Sequence, residues 1–324
     1  MFRKLNTTIL IVILVVLLAV YLIVRYAGNN DRSFRETILT FDEQDVTELV
    51  INDPSFKEPI ILLREGKDWV VMKKGKKYPA DSNVVKSSIA QLAGLKIKAY
   101  AGKGEEAWKR CQVADTSATI VDLKKGKENI STILIGKFEY FQIQSQQPQM
   151  SGLQPETEIS TYVRLLDEKE VYLVEGFVRM NFSNGADTYR NRSIIHVKNS
   201  DITRVTFRYP DETMVLERAG DKWALDGQLT DSVKTAKFFS MIPKLSNSYF
   251  VDEEIVTANP EYTIIVEGTS FSPVEITAIP VADTNIRYAI HSNFNPTAYF
   301  DGQKTSQFKR VFVKRGDFFA DEAK

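Results

Sequence analysis

The octet LLREGKDW at Leu62–Trp69 recurs as LERAGDKW at Leu216–Trp223. Two joined copies of one segment are bound to similar local folds, so this repetition restricts the architecture more than any other feature. The likeness extends outward from both octets. Upstream, Phe34 and Arg35 pair with Tyr189 and Arg190, and after a one-residue insertion Asp45, Val46 and Thr47 pair with Asp201, Ile202 and Thr203. Downstream, Asp81 and Ser82 pair with Asp231 and Ser232, and Ile89, Leu92 and Leu95 pair with Phe239, Ile242 and Leu245. Further on, DTSATIVD (Asp115–Asp122) aligns with NPEYTIIV (Asn259–Val266). A tandem duplication explains all of these matches.

Each copy reads as the same series of elements. DVTELVI and DITRVTF alternate apolar and polar residues as a half-buried strand does. The octet is then a β-hairpin, with Gly66 or Gly220 at the reversal, where positive φ is needed, and Trp69 or Trp223 opening the next strand. Asp81 or Asp231 offers a carboxylate to the free N–H groups of a helix start. Val85, Ile89 and Leu92 fall on one helical face, as do Ala236, Phe239 and Ile242. Four strands follow in each copy: ATIVDL, STILIG, TYVRLL and EVYLV in the first, YTIIVEG, VEITAI, IRYAI and TAYF in the second. Their connections are mostly too short for helical crossovers, so a mainly antiparallel sheet with helices on one face is expected in each copy, an α+β fold. The expected division is 1–30 as anchor and linker, 31–185 as the first repeat and 186–324 as the second.

The anchor is the run Thr7–Val24, TTILIVILVVLLAVYLIV, 18 uncharged residues between Lys4 and Arg25. As a helix rising about 1.5 Å per residue it is about 27 Å long, enough to cross a bilayer. A cleaved signal peptide is the competing reading, but its apolar region is about 7 to 15 residues long and ends in a small-x-small site, whereas this run continues into Arg25 and Tyr26. No cysteine follows to carry a lipoprotein anchor. Arg3, Lys4 and the terminal amine precede the span and Arg25 and Arg32 follow it, a modest asymmetry; with the N-terminus in the cytoplasm, the large C-terminal part translocates.

Composition excludes some partners. Lys plus Arg and Asp plus Glu each total 42, so no net positive charge draws in a nucleic-acid backbone. The single cysteine, Cys111, rules out an intramolecular disulfide and a cysteine-based metal cage. The two histidines, His196 and His291, have no His or Cys at ligand spacing, and ordinary strand or loop positions account for them. G-x-S-x-G and phosphate-cradling glycine patterns are missing. Catalytic, metal-binding and cofactor-binding residues are therefore assigned as none, and the chain is expected not to be an enzyme.

Three features remain. The cluster KKGKK at Lys73–Lys77 is either a solvated turn, matching LDGQ in the second copy, or a contact for anionic lipid or an acidic polymer. Arg35 and Arg190, each beside an aromatic residue, suit stacking on Phe34 or Tyr189, or bonding to carbonyls at the repeat junction. The segment Phe138–Ile159, much longer than its counterpart VADTN, is either a protein-contact surface or a mobile insertion.

The order R-x-x-x-I-[LI], D-[VI]-T, L-x-R-x-G-x-x-W and [PT]-x-D-S resembles the bacterial family called domain of unknown function 4340, over nearly all of the chain after the anchor. The second copy departs from it in lacking the lead-in of YPADS. The resemblance implies a single-span membrane protein encoded beside gliding-motility-type ABC transporters and acting as an auxiliary component. It supplies no catalytic residues. The expectation is thus a non-enzymatic docking protein of the bacterial inner membrane, N-terminus cytoplasmic and the rest periplasmic. Its expected partners are ABC-transporter membrane subunits, with the bilayer contacted through the N-terminal helix. The alternative is an envelope carbohydrate-binding protein or hydrolase, which needs a pocket with converging acidic or aromatic side chains.

Overall fold

A computed structural model describes residues 14, 16–18, 21, 35–142, 157–252, 259–281 and 286–320. The expected membrane span, Thr7–Val24, lies almost wholly outside the described residues. Its five described members, Leu14, Val16, Leu17, Leu18 and Tyr21, are helical and between 54% and 66% exposed. Among the described residues no helix is long and apolar enough to cross a membrane.

The chain is α+β: two mainly antiparallel sheets with a few helices. The elements of the first copy are β1 (Glu48–Asn52), β2 (Ile60–Glu65), β3 (Asp68–Lys73), β4 (Lys76–Pro79), α1 (Ser82–Ala93), β5 (Ile97–Lys103), α2 (Gly104–Cys111), β6 (Thr119–Lys125), β7 (Glu128–Gln142), β8 (Thr157–Leu165) and β9 (Glu170–Glu175). Those of the second are β10 (Ile202–Arg208), β11 (Thr213–Ala219), β12 (Lys222–Leu225), β13 (Gln228–Leu229), α3 (Ser232–Met241), β14 (Tyr262–Gly268), β15 (Val274–Pro280), β16 (Tyr288–Ser292), β17 (Tyr299–Asp301) and α4 (Gln307–Val311).

Two compact bodies emerge from the packing. One takes the described parts of Met1–Asp42 together with Ala90–Ala118 and Ile133–Arg179; the other takes Glu43–Ile89, Thr119–Thr132 and the described parts of Met180–Lys324. In the first body the strand order is β7-β8-β9-β5, with β5 against β9 through two bulges. In the second, one sheet runs β4-β3-β2-β1-β6 and the other β13-β12-β11-β10-β14-β15-β16-β17. The orders β4-β3-β2-β1-β6 and β13-β12-β11-β10-β14 correspond strand for strand.

The correspondence extends to single bonds. Gly66 and Gly220 take φ of 65° and 64° at the two octet turns. In the next turn Lys74 and Gly75 match Asp226 and Gly227, all four at positive φ, which suits a hairpin turn twisted with its strands. Ile38 N–H donates to Leu95 O at 3.0 Å as Ile194 N–H donates to Leu245 O at 2.8 Å. Asp231 Oδ1 accepts from Val233 and Lys234 N–H at 2.9 Å each, and Asp81 Oδ1 accepts from Asn83 N–H at 3.0 Å and Val84 N–H at 3.4 Å.

Both copies bury equivalent apolar side chains. Leu49, Ile51, Leu62 and Val71 in the first and Val205, Phe207, Leu216 and Leu225 in the second are fully buried. Trp69 is buried, while Trp223 stacks on Phe239 at 4.3 Å between ring centres. One expectation fails within α3. Ala236 is exposed, and Thr235 is buried in its place, with Phe238, Phe239 and Ile242 completing the face. The cap at Asp231 sets the helix phase one residue earlier, so Thr235 occupies the position of Val85.

Candidate functional site

The sequence-level candidates divide once they are placed. His196 is exposed outside any strand or helix, and His291, in β16, stacks on Tyr299 at 4.7 Å with Nε2 3.2 Å from Pro296 O. Cys111 ends α2 and is buried. Among the described residues no group of three or more His, Cys, Asp or Glu side chains could hold a metal ion.

KKGKK is only partly a solvated turn. Lys74 and Gly75 form the turn and are exposed with Lys76, and Lys77 pairs with Glu65 at 2.5 Å. Lys73 instead turns inward, its Nζ 2.8 Å from both oxygens of Asp187 and 2.7 Å from Asp252 Oδ2. The same two carboxylates accept from Arg190, whose Nη1 lies 2.6 Å from Asp252 Oδ1 and 3.2 Å from Asp187 Oδ1. Arg190 is 2% exposed, and its guanidinium sits 4.0 Å from the centre of the Tyr78 ring and 3.7 Å from that of Phe250.

Backbone geometry holds this cluster. Ala80 and Arg190 form an antiparallel bridge, Asp81 N–H donates to Tyr189 O at 2.8 Å, and Asn191 N–H donates to Pro79 O at 2.9 Å. The end of β4 in the first copy is thereby joined to the start of the second. Burying a guanidinium costs several kcal/mol unless it is paired, and here two carboxylates and two ring faces compensate it. Burial alone raises the pKa of Asp252, but hydrogen bonds from Lys73 and Arg190 outweigh it and leave the carboxyl lowered. Lys73 is the mirror case: burial acts to lower it, and the bonds to Asp187 and Asp252 leave it raised.

The expected stacking partner of Arg190 is corrected by this arrangement, whereas that of Arg35 lies outside the described residues. Arg190 stacks on Tyr78 and Phe250 rather than on Tyr189, whose hydroxyl donates to Asn181 O at 3.0 Å. Arg35 pairs with Glu168 and lies 5.4 Å from the centre of the Tyr172 ring, while Phe34 is outside the described residues. Tyr189 closes the short helical turn Ala186–Thr188 with φ −91° and ψ −9°, and its hydroxyl bond to Asn181 O holds its ring away from Arg190.

A family model described as Domain of unknown function (DUF4340) matches residues 69–262, more than half of the chain. The chain belongs to the DUF4340 family. No curated protein and no solved structure matches it. The DUF4340 match opens at Trp69 and closes at Tyr262, so it takes in all of Lys73, Tyr78, Asp187, Arg190, Phe250 and Asp252. The family's shared span thus includes the junction between the copies as well as hairpin and cap.

Two surfaces of this DUF4340 chain are suited to contact. In the first body, Phe138, Tyr140 and Phe177 form an edge-to-face cluster with ring centres 4.8 to 6.1 Å apart, and Tyr140 is 63% exposed. Sequence reading placed Phe138–Ile159 in one loop. Residues 138–142 and 157–159 are instead the paired ends of β7 and β8, with Tyr140 opposite Ile159, and 143–156 lie outside the described residues. In the second body, two neighbouring recesses share Lys309 and Asp317. One, of about 440 Å³, is lined by α3 and α4. The other, of about 640 Å³, carries the rings of Tyr262, Tyr288, Phe308 and Phe312. The carboxylate lining each recess is Asp317.

Sequence reading missed α2, β5 and α4. Gly104–Cys111 carries Glu105 and Glu106 in its first turn and Lys109 and Arg110 in its last, a charge order that complements the helix dipole. That signal was available in the sequence.

Proposed function

We propose that this DUF4340 chain is a non-enzymatic docking protein built from two copies of one helix-bearing antiparallel unit and held at the bacterial inner membrane by the run Thr7–Val24. Its N-terminus is cytoplasmic, its remaining residues are periplasmic, and its partner is the membrane part of an ABC-type transport system. The aromatic cluster of exposed Phe138 and Tyr140 with half-buried Phe177 carries the docking reading. Aromatic rings give large contact area at low entropic cost, as protein interfaces favour, and Tyr140, set on the β7–β8 hairpin, adds a polar tip.

Further support comes from the N-terminal run, whose described residues are large, apolar and more than half exposed. Five such side chains in a helix find their natural environment in hydrocarbon. Buried charge in the second body is engaged by structural pairing at Arg190, and the two C-terminal recesses are lined by cations and rings rather than by opposed carboxylates.

The same exposed rings also suit sugar stacking, which keeps an envelope carbohydrate-binding protein as the second reading. Lysine-reactive cross-linking in intact membranes, followed by purification of the tagged full chain, separates the two. Recovery of ABC-transporter membrane subunits is the expected result; recovery of glycan alone overturns the docking reading. Alkaline carbonate extraction tests the anchor, with the full chain expected to remain in the membrane pellet.

A further inference from the structure

We propose that the recess between α3 and α4 is a binding site for an anionic amphiphile, with a phosphate or carboxylate head held by Lys234, Lys237, Lys309 and Arg310 and a short apolar tail laid on Phe238 and Met241. All six side chains line one cavity of about 440 Å³ in the second body, a volume suited to a charged head and several methylenes.

The charge on this wall is one-sided. The whole chain balances 42 cationic against 42 acidic residues, yet this lining carries four cations, of which Lys234 already has a partner, and a single carboxylate, Asp317. That carboxylate is already used, because its Oδ2 accepts Lys314 N–H at 2.8 Å where the turn Arg315–Phe318 begins. Lys237, Lys309 and Arg310 have no ion pair among the described residues. Like charges lining one recess repel one another, and an anion between them offsets that repulsion.

The duplication provides an internal control. Residues 81–90 and 231–240 share one pattern of exposure apart from the serine that follows the cap, so α1 and α3 use the same scaffold. At the positions of Lys234 and Lys237 the first copy has Val84 and Ser87. Folding of this helix therefore does not require the two lysines. They occur in the copy that also has α4, whose Lys309 and Arg310 complete the wall. Thr305 and Ser306, just before α4, both take left-handed φ, 55° and 52°, which is strained for residues with a Cβ. The chain thus pays a strain cost for the turn that brings α4 beside α3.

The test is calorimetric titration of the full chain in nonionic detergent with hexyl phosphate, using inorganic phosphate and hexanol as separate probes. Two variants subtract the detergent background: Lys234→Val with Lys237→Ser, which restores the residues of the first copy, and Lys309→Gln with Arg310→Gln. The expected result is one saturable site for hexyl phosphate, at least tenfold tighter than for either fragment and weakened at least tenfold in each variant with an unchanged melting midpoint. Absence of saturation, equal binding by the variants, or equal affinity for inorganic phosphate overturns the proposal. Mass spectrometry of material retained by wild type and lost from the variants identifies the source. A retained phospholipid makes the natural ligand a bilayer lipid; an empty site that still takes hexyl phosphate makes it a soluble amphiphile.

Discussion

Arg190 reaches Asp252 across 62 residues of chain, its Nη1 2.6 Å from the carboxylate, while its guanidinium lies 3.7 Å from the centre of the Phe250 ring. Asp187 and Lys73 close this into a four-charge cluster, so the link between the first copy's β4 and the second copy is electrostatic as well as backbone.

Removing the buried cation is expected to cost much more than removing its repeat counterpart. Arg190→Met leaves Asp252 partly buried with Lys73 alone, and breaking a buried pair costs about 3 kcal/mol or more. Arg35→Met removes a 40% exposed side chain and is expected to cost less than about 1 kcal/mol. Chemical denaturation of the two variants beside wild type measures the difference.

The cluster also sets a pH window. Asp252 is lowered in the folded chain, so its contribution is present above the ordinary aspartate value and is lost as pH falls through the folded pKa. Lys73 is raised, so its contribution is present below the ordinary lysine value and is lost as pH rises through the folded pKa. Melting midpoints across pH should therefore fall on both sides of a neutral plateau, and the acid-side and alkaline-side losses should both shrink in Lys73→Met.

The two helix caps predict a matched pair of effects. Asp231→Ala and Asp81→Ala each remove an acceptor for N–H groups in a first helical turn, at a cost of about 1 kcal/mol. Asp231→Ala should lose at least as much, because both of its bonds are 2.9 Å whereas one bond of Asp81 is 3.4 Å. Denaturation midpoints of the two variants test the order.

Gly136 interrupts β7 where its register against β8 shifts, and an added Cβ there would collide with Cys111 O and the Val113 side chain. Gly136→Ala should destabilise the chain by about 1 to 3 kcal/mol through overpacking, with Gly126→Ala, which faces open space, as a comparison for turn strain alone. Thermal unfolding distinguishes them.

Much of this architecture was legible because local signals repeat. The alternation in DVTELVI and DITRVTF, the turn glycines Gly66 and Gly220, and the caps Asp81 and Asp231 all depend on neighbours within a few residues. What escaped depended on distance or on small phase differences. Nothing beside Arg190 in the sequence points to Phe250 or Asp252, and Lys73 looked like one member of a solvated run. Thr235 displaced Ala236 because a helical face is decided by the cap as well as by hydrophobicity, and a threonine can be buried when its hydroxyl has a partner, here Thr230 Oγ1 at 2.8 Å. The recess between α3 and α4 was invisible for the same reason, since its cations come from segments more than sixty residues apart.

Docking through the hairpin aromatics is tested most directly by a photoreactive residue at position 140 of the full chain in intact membranes, with Val233, 79% exposed on α3, as the control position. The account predicts that position 140 captures an ABC-transporter membrane subunit and that position 233 does not. Capture of glycan alone at position 140, or equal capture of one protein from both positions, would contradict it.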